Sequence, residues 1–165
     1  MTNLFKVNGR FSLKKLLITV LGTLAIGFGS SIFTLNAPQI YQNLIQPPLG
    51  PPGWVFGPVW AVLYILMGFA TYRVWMFGKE NQEVRSALIT YLIQLLFNFS
   101  WSLLFFTFGL RGIAVIEILV LWLFIILTMI KFKKVDSIAF YSLIPYFLWV
   151  SFAAILNYSV WLLNR

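Results

Sequence analysis

Long apolar runs alternate with short polar segments along this chain, and the polar segments hold nearly all of its charge. Met1 to Lys15 is polar and carries Lys6, Arg10, Lys14 and Lys15. Apolar runs then cover about 16–35, 54–76, 86–108, 113–130 and 137–163. Between them lie 36–53, FGKENQEVR (77–85), a tight turn around Arg111 and KFKKVD (131–136). Each run approaches or exceeds the ~20 residues a helix needs to cross hydrocarbon. The pattern predicts an all-α membrane protein, a five-transmembrane-helix bundle forming a single domain over 1–165. Asp136 or Ser137 suits the N-cap of the last span, and Pro145 predicts a kink or local opening within it. The first run shares a basic flank with secretory leaders. Its ~20-residue length and the lack of a small-x-small cleavage site favour a retained span.

Composition leaves no soluble alternative. Hydrophobic residues make up 61% of the chain and charged ones 10%, too little polar surface to dissolve a compact domain. The net charge of +8 is placed at span ends, as topology signals and headgroup contacts, and does not point to nucleic acid. Lys6, Arg10, Lys14, Lys15, Arg73, Lys79, Arg85, Lys131, Lys133 and Lys134 fall on one side; Arg111 and Arg165 fall on the other. The positive-inside rule puts the N-terminus in the cytoplasm and the C-terminus outside a bacterial plasma membrane. There is no cysteine and no histidine, which excludes disulfides, zinc sites, thiol catalysis and a Ser-His-Asp triad. Haem iron loses its two commonest protein ligands. No metal site or cofactor is expected.

Residues 36–53 have no charge, and Pro47, Pro48, Pro51 and Pro52 stiffen them. An uncharged loop with Tyr41, Leu44, Ile45 and Leu49 is expected to fold down as a lid. Three spans carry stripes of aromatics and amides at helical spacing. The second holds Trp60, Tyr64, Met67 and Thr71; the third Tyr91, Gln94, Asn98, Trp101 and Phe105; the fifth Tyr146, Trp149, Ala153 and Asn157. An amide inside a membrane needs a partner or water, so these faces turn toward one another. The plain consequence is interhelical hydrogen bonding. The sharper one is a pocket for a flat apolar ligand, with indoles for stacking and Ala153 leaving ring space. Glu117 is the only acid well inside a span, and Arg111 is its expected partner.

The stretch QPPLGPPGWVFGPVWAVLY (46–64) resembles the TspO/MBR family, the translocator protein or tryptophan-rich sensory protein group. Three further segments carry the resemblance: YLIQLLFNFSWSLLFF (91–106), EILVLW (117–122) and PYFLWVSFAAILN (145–157). Together they span most of the chain. The resemblance implies a porphyrin-binding sensory or translocator-like membrane protein, with protoporphyrin IX as ligand and a homodimeric state. It implies that Tyr41, Pro51, Trp60, Tyr64, Asn98, Trp101, Tyr146, Trp149 and Ala153 line the ligand site between spans two, three and five. Two alternatives stay open. One is a porphyrin-degrading enzyme using light and oxygen, with Trp60 and Trp149 as its catalytic redox partners. The other is a small-molecule or sterol transporter. Some positions depart from the family. Gln46 replaces a usual lysine, Leu49 and Ile113 stand where members carry tryptophan, and the C-terminal sterol pattern around Leu156 and Tyr158 lacks its basic residue.

Overall fold

The computed structural model describes residues 4–48 and 50–165; Leu49 lies outside them. Its helices are α1 (Leu13–Phe33), α2 (Ala37–Gln42), α3 (Phe56–Met76), α4 (Gln82–Ser102), α5 (Arg111–Val135), α6 (Ser137–Ser142) and α7 (Ile144–Leu163). Five segments among the described residues are long and apolar enough to cross a membrane. The protein is therefore a multi-pass membrane protein, and α6 with α7 makes the fifth span.

Local chemistry sets the helix ends. Ser12 caps α1, accepting from the Lys15 N–H, and Asn81 caps α4, accepting from the Glu83 N–H at 2.8 Å. Asp136 caps α6, accepting from the Ala139 N–H at 3.0 Å. The fourth span runs through Val135, past the expected end at 130. Its lysines lie in the last turns, where cations suit the negative helix end. Lys131 reaches back along α4 to Ser86 Oγ at 2.9 Å and Thr90 Oγ1 at 2.7 Å. The fifth span breaks at Leu143, and α7 restarts with Pro145 in its first turn. There a missing N–H costs little.

The spans close into a ring. Helix α1 packs on α3, α3 on α6, α7 on α5, α5 on α4, and α4 returns to α1. Glycines set the closest approaches. A Cβ on Gly68 would stand 2.6 Å from Val20 Cα, and one on Gly27 would collide with the Tyr64 ring. On the first span Gly27 thus serves close helix packing, while Gly22 has no atom within 4 Å of its Cβ position.

One end of the ring is held by charge. Arg73 Nε donates to Asp136 Oδ2 at 2.5 Å and its Nη2 to Oδ1 at 3.1 Å, and Nη1 donates to the Leu4 carbonyl. Arg73 is buried and Asp136 nearly so. The neighbouring Tyr72 hydroxyl donates to the Phe5 carbonyl at 2.8 Å and accepts from the Ser12 N–H at 3.3 Å. These contacts fasten the N-terminal segment across the bundle end.

Candidate functional site

At the other end the ring opens into a cavity of about 670 Å³ between α1, α3 and α4, roofed by α2. Gly27, Ser30 and Ser31 supply a low wall on α1. Facing it are Phe56, Trp60 and Tyr64 of α3, then Trp101 and Phe106 beyond. Phe28 and Leu35 line the cavity while remaining exposed, so one side reaches the outer surface of the bundle.

The aromatic walls are mutually fixed. Trp60 stacks on Tyr64 with ring centroids 5.5 Å apart and an interplanar angle of 29°. Trp101 tilts against Phe105 at 5.5 Å and meets Phe106 edge-on at 6.2 Å. The two phenylalanines sit on a π-helical turn, Leu103–Thr107, in which the Phe108 N–H bonds the Leu103 carbonyl. The extra residue lets consecutive phenylalanines serve two neighbourhoods. Phe106 faces the cavity, while Phe105 packs with Tyr41, Ala114, Leu156 and Val160.

Beneath the rings the amides bond across the helices. The Tyr64 hydroxyl donates to Asn98 Oδ1 at 2.6 Å, Asn98 Nδ2 donates to the Tyr146 hydroxyl at 3.1 Å, and that hydroxyl donates to Gln94 Oε1 at 2.8 Å. Trp101 Nε1 donates to Asn157 Oδ1 at 2.9 Å, and Asn157 Nδ2 reaches the Arg111 carbonyl at 3.3 Å. The interhelical bonding expected of these amides is what the fold contains.

Of the site residues suggested by resemblance, Tyr41, Trp60, Tyr64 and Trp101 line the cavity. Asn98 stands directly behind Tyr64. Tyr146 is fully buried, with its ring 6.2 Å from Trp60. Ala153 is buried in the same core. Trp149 is half-buried behind Phe56, whose ring meets it edge-on at 5.9 Å. Its indole N–H is buried and has no hydrogen-bond partner. Pro51 is half-buried in the loop and is not on the cavity wall. The open space therefore adjoins the first span in place of the fifth. The fifth-span stripe is already filled by hydrogen bonds and by Phe56. The stripes alone did not single out Phe56, Phe106 or the small residues of α1. Phe56 in V-F-G-P and the phenylalanine pair after Trp101 were the available signals.

The loop is anchored from two directions. Tyr41 meets Phe56 edge-on at 5.1 Å. Its hydroxyl is buried beside Gly50 with no partner, and burial raises its pKa above the ordinary phenol value. Gln46 Nε2 donates to the Tyr41 carbonyl. Farther out, Ile45 is bonded to Asn164 at the end of α7.

Glu117 does not pair with Arg111. Its Oε1 accepts from Ser100 Oγ at 2.7 Å, and Oε2 is buried without a partner. Six residues along one helix turn two side chains about 120° apart, which explains why the pair fails to form. Among the described residues no group of three His, Cys, Asp or Glu side chains gathers.

A family model described as the TspO/MBR family matches residues 19–162. The chain is 41% identical over 142 residues to the tryptophan-rich protein TspO of Chlorobaculum tepidum, covering 86% of this chain and 90% of that one. It is 38% identical over 151 residues to the protein of the same name from Archaeoglobus fulgidus, covering 91% and 97%. The translocator protein of Ovis aries is 35% identical over 126 residues, covering 76% and 75%.

Proposed function

The chain belongs to the TspO/MBR family, and we propose that it binds a flat, largely apolar ring system, a metal-free tetrapyrrole such as protoporphyrin IX. The observation that carries this reading is the cavity of about 670 Å³ walled by Trp60, Tyr64, Trp101, Phe56 and Phe106. That volume lies within the ~300–1,000 Å³ typical of small-molecule sites. Indole and phenol faces stack on an extended π-system, and α1 leaves room opposite them. The unpartnered Tyr41 hydroxyl offers a donor for a polar edge of the ligand. With no histidine or cysteine in the chain, a metal-free ring suits it better than haem. The ligand would be sensed, sequestered or moved within a bacterial plasma membrane, with the N-terminus in the cytoplasm. A homodimer belongs to the same reading and rests on the family resemblance.

Porphyrin degradation by light and dioxygen is the second reading. It is favoured by Trp149, whose buried N–H lacks a partner and whose ring is separated from the cavity by Phe56. One experiment separates the two. Purified protein is mixed with protoporphyrin IX in the dark and then illuminated. A saturable shift of the Soret band without loss supports binding. Loss of the band under light, abolished by Trp149→Phe, supports degradation. Absence of any saturable shift contradicts both.

A further inference from the structure

We propose that the N-terminal end of the bundle holds a site for an anionic phospholipid, with Lys15, Lys79 and Trp75 at the headgroup and a groove between α1, α3 and α4 for an acyl chain. Two ammonium groups converge on one indole there. Lys15 Nζ lies 5.4 Å from the Trp75 ring centroid and Lys79 Nζ 4.7 Å from it. Neither forms a salt bridge, since among the described residues the one ion pair is Arg73–Asp136. Glu80 and Glu83 are the acids nearest in sequence, and they leave both lysines without a carboxylate. Lys15 also stands in the first turn of α1, the end where the helix dipole disfavours a cation. The ring face attracts each ammonium, but it does not cancel the mutual repulsion of the two charges. A bound anion does.

What lies below the lysines identifies the anion as a lipid. A groove of about 290 Å³ begins at Lys79 and Trp75 and continues past Ile18, Leu88, Leu92 and Ile26. It shares no lining residue with the aromatic cavity. The hydroxyls in its wall are already engaged. Thr23 Oγ1 and the Tyr91 hydroxyl bond each other at 2.7 Å, Thr19 Oγ1 donates to the Lys15 carbonyl at 3.1 Å, and Thr71 Oγ1 donates to the Met67 carbonyl at 2.9 Å. The wall therefore presents hydrocarbon. Gly22 leaves open space along it, with no atom within 4 Å of where a Cβ would stand. Paired cations above an apolar groove match a phosphate headgroup with its chain, and a free phosphate has no use for the groove.

The test is native mass spectrometry of the full chain in neutral detergent, titrated with dioleoylphosphatidylglycerol or dioleoylphosphatidylcholine. One phosphatidylglycerol is expected to bind at about thirtyfold lower concentration than phosphatidylcholine, the size expected for two surface lysines. Lys15→Gln with Lys79→Gln abolishes that preference. Lys133→Gln with Lys134→Gln is the control, a basic pair on α5 whose Lys133 lies over Phe140, and it keeps the preference. Gly22→Leu weakens both lipids by filling the groove. Retention of the preference in the Lys15/Lys79 variant overturns the proposal. So does its equal loss in the control pair, or unchanged lipid binding in Gly22→Leu.

Discussion

Asn164 holds Ile45 by both faces of its backbone across 119 residues of sequence. The Ile45 N–H donates to Asn164 Oδ1 at 2.9 Å, and Asn164 Nδ2 donates to the Ile45 carbonyl at 3.0 Å. This clamp ties the loop that roofs the cavity to the last turn of the fifth span. Helix α2 and Tyr41 lie upstream of the clamp, and the proline segment follows it. If the loop is a lid, this is its latch. Each exposed bond contributes only ~0.5–1 kcal/mol. Asn164→Ala should therefore speed release of bound protoporphyrin IX about tenfold while leaving helical content unchanged. Stopped-flow displacement measures the rate, and an unaltered rate removes the latch from the account.

The chain from Tyr64 through Asn98 and Tyr146 to Gln94 joins the second, third and fifth spans. Side-chain hydrogen bonds inside membranes are worth ~0.6 kcal/mol on average and rarely above ~1.7. A double-mutant cycle of Tyr64→Phe and Asn98→Leu, read by thermal unfolding in detergent, should give a coupling in that range. The short 2.6 Å contact places it toward the upper half. A coupling indistinguishable from zero shows that the bond contributes no net stability.

Asp136 has two tasks, and substitution separates them. It faces Arg73 as a buried ion pair and caps α6 through Ala139. Asp136→Ala abandons a buried guanidinium, a loss of ~3–5 kcal/mol in comparable pairs. Asp136→Asn keeps an acceptor for the cap and should be less damaging by ~1 kcal/mol, the usual size of an N-cap. Thermal unfolding distinguishes them. Identical shifts for both variants deny the capping role, and a negligible shift for Asp136→Ala denies the pair.

Five spans were legible because apolar run length and charge placement are properties of the chain itself. Their ends were less so. The fourth span continues through Lys131, Lys133 and Lys134 because helix termination follows hydrogen bonding and capping at Asp136, while the apolar pattern stops at Ile130. The π-turn at Leu103–Thr107 was hidden in LLFFT, where every neighbour is apolar and a one-residue slip leaves no trace in the pattern. The stripes correctly marked inward faces but did not say which would be occupied. The Tyr146 hydroxyl bonds Gln94, and Phe56 fills the space before Trp149. Gly27 admits the Tyr64 ring at a helix contact and, with Ser30 and Ser31, also forms one wall of the cavity. Glu117 chose Ser100 on α4, a partner visible only once two helices are side by side.

Binding of a flat ligand in the cavity between α1, α3 and α4 is tested most directly at Gly57. Gly57 lines the cavity, and no atom lies within 4 Å of where its Cβ would stand. A side chain there enters ligand space without disturbing a neighbour, and replacing a helical glycine favours the fold. The measurement is the affinity of Gly57→Phe for protoporphyrin IX, by tryptophan fluorescence in detergent, beside the wild-type chain and Trp75→Ala. Trp75 lies at the opposite end of α3, away from the cavity. The predicted result is at least about tenfold weaker binding for Gly57→Phe, or ~1.4 kcal/mol, with thermal stability kept and Trp75→Ala near wild type. Undiminished binding in a folded Gly57→Phe protein, or an equal loss in Trp75→Ala, would contradict the claim and move the ligand to the aromatic surface of the bundle.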